Sequence, residues 1–255
     1  MLYDPVKSLG QNFLLEKSIS VSMVLALNMQ KGDTIVEIGA GLGALTVTLA
    51  DHLPENARAY AVEIDERFIG KLRNMFSEDS NLQIIHSDIL TWLPQFNAPE
   101  GYKVIGSLPY NITSPIVHMI VKKVPQPSLC VLLVQKEVAE KVAARKDDAS
   151  YISSFVQTFF DVEYLGVVNR DLFDPAPKVD GGIIRLTRKE SFIGYESVEK
   201  YEGFLHEAFS HPRKMLNKPF TKEELSLTGV DGKLRPQNIT PDMWVEMFKT
   251  LVTQQ

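Results

Sequence analysis

The sequence predicts an α/β protein: a mostly parallel sheet covered by helices, followed by a small all-helical domain. Short, apolar, β-branched runs recur at "TIVEIG" (34–39), "AYAVEI" (59–64), "LQIIHSD" (82–88), "KVIGSL" (103–108) and "LCVLLV" (129–134). Each is followed by a stretch of helical period, and strands alternating with helices pair in parallel through right-handed crossovers. Such strands are buried on both faces, so they read as continuous apolar runs instead of alternating ones. Beyond residue 188 the strand-like runs stop, and "VEKYEGFLHEAF" and "PDMWVEMFKTLV" carry helical period only.

Each part of the chain then takes its place in order. "VEYLGVV" and "GGIIRLTR", on either side of the proline-containing loop "FDPAPKVD", add two strands and bring the sheet to seven. A chain of 255 residues with 44% hydrophobic content can bury a core for one large domain and an appendage, so the boundary is expected near 188, giving domains 1–188 and 189–255. No apolar run approaches the length of a membrane span, and "MLYDPVKSLGQNF" lacks the basic-then-apolar order of a secretion signal; a cytoplasmic protein away from membranes is expected. The single cysteine, Cys130, lies inside "SLCVLLV" and is expected to be buried and inert. His206 and His211 are five residues apart, which turns them to different sides of a helix, so no metal site is expected.

The formal charge of −5 argues against a protein that is basic all over, as many nucleic-acid binders are. Local charge differs: "HPRKMLNK" (211–218) holds Arg213, Lys214 and Lys218 and no acid. Taken alone, that patch reads as a solvated face first and as a phosphate contact second.

A doubly wound sheet opens its ligand crevice at the carboxyl ends of its strands. At the first end, "VEIGAGLGALT" sets Gly39, Gly41 and Gly43 on the turn into a helix, where missing side chains let the backbone approach a ligand. Because Gly39, Gly41 and Ala44 also satisfy a loose dinucleotide fingerprint, a nicotinamide enzyme stays open at this step. Glu63 ends the second strand, where a carboxylate can accept from both hydroxyls of a ribose. Asp88 follows the third, where it would sit beside an adenine ring. Glu37, just before the glycines, would put negative charge beside a ligand's cationic end and would repel a pyrophosphate. S-adenosylmethionine, with an ammonium, a sulfonium and no phosphate, fits these four features.

The fourth strand ends in "GSLPYNITSPIV" (106–117). An aromatic amine is a poor nucleophile because its lone pair is delocalised into the ring; accepting hydrogen bonds from both N–H groups draws the nitrogen toward tetrahedral geometry and aims it. The Ser107 oxygen and the backbone carbonyl of Leu108 or Pro109 offer the acceptors, and the Tyr110 ring offers a face for stacking a base. Ser114-Pro115 is expected to cap the next helix.

"GQNFL", "VEIGAGLGALT", "VEIDE", "HSDIL", "SLPYNITSPIV", "LLVQKEVAEKVAAR", "FDPAPKVDGGIIRL", "AFSHPRKML" and "RPQNIT" together resemble the bacterial small-subunit ribosomal RNA adenine dimethyltransferases, over nearly the whole chain. The resemblance implies a Rossmann-like class I methyltransferase domain, a helical RNA-recognition domain, and dimethylation of two adjacent adenines near the 3′ end of small-subunit rRNA. By position it implies S-adenosylmethionine contacts at Asn12, Leu14, Gly39, Gly41, Glu63, Asp88 and Ser107. Catalysis falls to Ser107, Leu108, Pro109, Tyr110 and Phe173, with the two rings sandwiching a flipped base. Arg213 and Lys214 become the RNA-binding pair, the pre-30S particle the partner, and a monomer the expected state. The chain departs from the family where Ser107 stands in place of an asparagine whose amide oxygen reaches farther. Two other readings therefore stay open: a ribosome- or RNA-binding assembly factor with weakened catalysis, and a large-subunit adenine methyltransferase.

Overall fold

The computed structural model describes residues 4–6, 9–78, 81–189 and 193–253. In chain order the elements are β1 (Phe13–Leu14), α1 (Lys17–Ala26), β2 (Thr34–Ile38), α2 (Ala44–Asp51), β3 (Arg58–Glu63), α3 (Glu66–Met75), β4 (Leu82–His86), α4 (Ile89–Gln95), β5 (Lys103–Ser107), α5 (Thr113–Lys122), β6 (Leu129–Gln135), α6 (Lys136–Ala143), α7 (Tyr151–Phe159), β7 (Phe160–Val168), β8 (Phe173–Asp174), β9 (Gly181–Arg188), α8 (Val198–Ala208), α9 (Lys222–Thr228) and α10 (Pro241–Phe248). The predicted strands all form, joined by the two-residue pair β1 and β8, which are too short to leave a hydrophobic period.

The seven-stranded sheet runs in the order β4-β3-β2-β5-β6-β9-β7. The five strands from β4 to β6 pair in parallel, and β9 runs antiparallel to β6, with Leu133 opposite Ile183. The central strands are dry: the described residues of β2 and β6 are buried except at their outer ends, and Cys130 is wholly buried. From β2 the chain winds outward through β3 and β4, then returns to start β5 on the other side. That reversal opens a crevice between the carboxyl ends of β2 and β5. Gly106 keeps the two strands together there, since a Cβ would stand 2.7 Å from the Ile38 carbonyl.

By compactness the chain forms two units, Met1–Ala139 with Glu163–Arg188, and Glu140–Val162 with Lys189–Gln255. The boundary expected near 188 leaves 140–162 in the first domain; the structure groups that stretch with the second. Its aromatic face is the reason. Phe159 of α7 meets Tyr201 of α8 edge-on at 6.2 Å, and Tyr201 meets Phe248 of α10 at 5.3 Å. Thr158 and Tyr201 share a hydrogen bond of 2.7 Å. Trp244, Tyr201 and Phe248 are essentially inaccessible, and burial of such rings is the largest apolar contribution a helical unit this small can make. Two helices of this unit begin with reciprocal caps, Ser150 with Ser153 on α7 and Thr221 with Glu224 on α9. Helix α9, seven residues long, left no readable period in the sequence.

One cap differs from expectation. Helix α5 starts at Thr113, its N-cap Ile112 makes no side-chain hydrogen bond, and Ser114-Pro115 lies within its first turn. Proline is tolerated there because the amide it lacks has no helical partner.

Candidate active site

Beneath the crevice, the chain leaves β2 through a turn that only glycine makes easily. Gly39 and Gly41 have φ of +75° and +54°, and a Cβ on Gly41 would press the Phe13 ring at 3.4 Å. The Gly39 amide donates to the Val62 carbonyl, and the Gly41 amide to Glu63 Oε2 at 2.7 Å. Glu63, at the end of β3, also accepts from the Asp65 amide at 2.8 Å through Oε1. The residue is 6% exposed, and burial raises its pKa against the pull of those two amides. Asp88 begins α4 as its cap, accepting from the Leu90 amide at 2.9 Å.

At the far wall, Ser107 ends β5 and the Leu108 amide donates to the Leu133 carbonyl of β6 at 2.8 Å. Of the two carbonyls offered as the backbone acceptor, that of Pro109 is already engaged. It takes the Ile112 amide and the Thr113 hydroxyl, each at 3.2 Å, so it closes the turn. No described residue donates to the Leu108 carbonyl, which leaves it as the open backbone acceptor next to the Ser107 side chain. The Tyr110 hydroxyl is buried without a partner among the described residues, and burial, with Asp180 nearby, raises its pKa.

These walls enclose a cleft of about 780 Å³, counting its open mouth. Asn12, Gly39, Gly41, Glu63, Asp88, Ser107, Leu108, Pro109, Tyr110 and Phe173 all line it, so most of the predicted residues come together. Leu14 does not. It is 8% exposed and packs in the core, because within β1 it pairs with Phe173 of β8; it holds Phe173 in place without facing the cleft. Glu37 does not line it either. It is fully buried under α2, where the Thr46 hydroxyl donates to its Oε1 at 3.0 Å, its Oε2 has no partner among the described residues, and burial pushes the carboxyl up to about 8. It stands one residue before the end of β2 with its side chain beneath α2, outside the lining of the crevice, and its burial favours the uncharged acid. Arg213 and Lys214 are exposed on the turn after α8, in the second unit.

Several lining residues went unpredicted, among them Gln11, Phe13, Ile64 and Ile89. Ile64 and Ile89 had a signal: each directly follows a carboxylate at a strand end, and Ile64 is 47% exposed, a position that suits an apolar clamp on a flat ring. The charge of the lining is one-sided. It includes Glu63 and Asp88 but no lysine or arginine among the described residues, and these residues also contain no cluster of histidine, cysteine or carboxylate able to hold a metal.

The family model for ribosomal RNA adenine dimethylase matches residues 5–253. The chain belongs to that family. Curated relatives agree with the dimethylase assignment end to end. The ribosomal RNA small subunit methyltransferase A of Sulfurihydrogenibium sp. is 36% identical over 248 residues, 96% of this chain and 95% of that protein. The same-named protein of Legionella pneumophila strain Corby is 35% identical over 258 residues, 98% of each. Among solved structures, the 23S rRNA methyltransferase ErmE superposes with a TM-score of 0.74 at 28% identity, covering 94% of this chain and 99% of its own. A dimethyladenosine transferase from Plasmodium falciparum reaches 0.75 at 24% identity, which speaks for the fold alone. The dimethylase of this chain is thus a methyltransferase on a Rossmann-like sheet, and none of its described helices is long and apolar enough to cross a membrane.

Proposed function

We propose that this dimethylase takes methyl groups from S-adenosylmethionine and transfers them to the N6 amines of two adjacent adenines near the 3′ end of small-subunit rRNA, with the pre-30S particle as its partner. The observation that carries the donor is the charge of the cleft: two carboxylates and no cation among the described residues, next to a glycine turn that brings backbone within reach. A pyrophosphate would find two carboxylates and no lysine or arginine among the described lining residues, which disfavours a nicotinamide cofactor. When bound, S-adenosylmethionine supplies a methyl group on a positively charged sulfur.

The residues of this chain divide the remaining work. Glu63 accepts ribose hydroxyls once Gly41 and Asp65 share it, Asp88 and its neighbouring backbone take the adenine amine, and Ile64 and Ile89 grip the ring. Asn12 and the glycines complete the floor. Ser107 Oγ and the Leu108 carbonyl accept the two N–H groups of the target amine, which localises its lone pair and orients it. Tyr110 and Phe173 stack the flipped base, offsetting the few kcal/mol that unstacking from RNA costs. Arg213 and Lys214 contact phosphate.

The test is transfer of tritiated methyl to unmethylated small subunits, mapped by primer extension. Two adjacent modified adenines are expected. Transfer to large subunits instead would make this a large-subunit enzyme, a reading kept in view by the likeness to ErmE. Binding to small subunits with no incorporation would make it an assembly factor.

A further inference from the structure

The geometry points to Asp65 as a positioning residue that latches the amino-terminal segment over the donor cleft. Asp65 is 7% exposed, yet it does not line the cleft. It caps α3 through Oδ1, accepting from the Arg67 amide at 3.1 Å, and Oδ2 accepts from Gln11 Nε2 at 2.6 Å, across 54 positions of sequence. The Arg67 guanidinium closes the arrangement: Nε and Nη2 donate to Asp65 at 2.9 and 2.6 Å, Nη1 donates to the Asp4 carbonyl at 2.9 Å, and Nη2 also reaches Gln11 Oε1 at 3.3 Å. Gln11 Oε1 in turn accepts from the Val6 amide at 2.8 Å.

Its backbone completes the connection, because the Asp65 amide donates to Glu63 Oε1. One ionised carboxylate therefore joins two walls of the cleft, the Gln11–Phe13 segment and the Glu63–Ile64 corner. The guanidinium bonds hold Asp65 well below the usual carboxylate range, at about 2, so it stays charged at every working pH. Hydrogen bonds to charged groups that are nearly buried are the strong ones. An asparagine is nearly isosteric but neutral, and it cannot hold both the Arg67 fork and the Gln11 amide in the same way. This inference rests on the reading of the cleft as the donor site.

The experiment compares wild type with Asp65→Asn in two measurements. In the ligand-free protein, hydrogen exchange is followed by mass spectrometry over residues 4–6 and 9–13 and over the strands β2 to β6. These amino-terminal residues are expected to exchange faster in the variant and the strands at the same rate; unchanged exchange over 4–6 and 9–13 overturns the latch. In methyl transfer, the KM for S-adenosylmethionine and the dissociation constant of S-adenosylhomocysteine are expected to rise on the order of tenfold or more, with kcat at saturating donor within about twofold. A fall in kcat with KM unchanged overturns positioning in favour of a general structural role. Wild type that binds no S-adenosylhomocysteine would sink the donor reading instead, and the exchange result would still decide whether Asp65 holds the segment.

Discussion

The hydroxyl of Thr113 donates to the carbonyl of Pro109 at 3.2 Å, and both lie in the corner that would present the target amine to its acceptors. Thr113 is 2% exposed, so the bond is shielded from water. Thr113→Val keeps the shape and removes the donor. Stability should fall by about 1 kcal/mol, and methyl transfer should slow by roughly tenfold as the corner loosens, since small misplacements are costly in orientation. Single-turnover rates against a urea unfolding curve check this: a rate that follows stability alone would show that the corner needs no such tie.

Ser107 and the Leu108 carbonyl are the two proposed acceptors of the target amine, and only the first can be removed by substitution. Ser107→Ala should lower kcat on the order of a hundredfold, with a much smaller change in S-adenosylhomocysteine affinity. Ser107→Asn should raise kcat, because an amide oxygen reaches farther and, unlike a hydroxyl, accepts without turning into a donor. Turnover left untouched by the asparagine would mean that the serine is no handicap.

Phe173 belongs both to the core, at 4% exposure beside Leu14 and Ile183, and to the lining of the cleft. Phe173→Ala mixes the two roles, since emptying such a site costs about 3–5 kcal/mol by itself. Phe173→Leu separates them. It keeps most of the volume and loses the aromatic face, so methylation should drop at least tenfold for roughly 1 kcal/mol of stability, the loss of stacking outweighing the loss of packing. Equal modest effects on both would make Phe173 a core residue only.

Arg213 and Lys214 stand exposed on a turn that carries no acid. Reversing both to glutamate should weaken binding to small-subunit rRNA and reduce the slope of log affinity against log salt by about one for each phosphate no longer neutralised. Calorimetry with S-adenosylhomocysteine should be unchanged. An unaltered salt slope would return the pair to an ordinary solvated surface.

The sheet was legible because parallel strands are dry on both faces and therefore spell themselves out as apolar runs; the strand ends, and with them Glu63, Asp88 and Ser107, followed directly. Side-chain direction was not legible to the same degree. Glu37 lies two residues from Gly39 in sequence, yet it is in the strand and turned beneath α2, whereas Leu14 faces the core because of its pairing with Phe173. The Gln11–Asp65–Arg67 arrangement spans 54 positions between its first two members and leaves no local pattern. Nor did the allegiance of 140–162 to the second unit, which depends on Phe159 meeting Tyr201, far along the chain.

The buried Glu37 should leave its mark on stability as a function of pH. Its carboxyl sits near 8 in the folded chain against 4.5 when unfolded, raised first by burial and also by the neighbouring Glu63. Between those values the folded state keeps a proton that the unfolded state has released, so stability declines as pH rises, with a limiting slope of about 1.4 kcal/mol per pH unit for one proton. Below 4.5 both states are protonated and the contribution is flat. Glu37→Gln retains an acceptor for Thr46 and places a second polar atom where Oε2 already lacks a partner among the described residues, so it imitates the protonated acid closely. The variant should match wild type near pH ~5 and exceed it in stability near pH ~8. Urea unfolding at unit steps between those limits measures the difference directly, and the difference reports Glu37 together with its coupling to Glu63. Parallel curves would show that Glu37 is ionised in the fold, and would return it to consideration as a charge acting on the cleft.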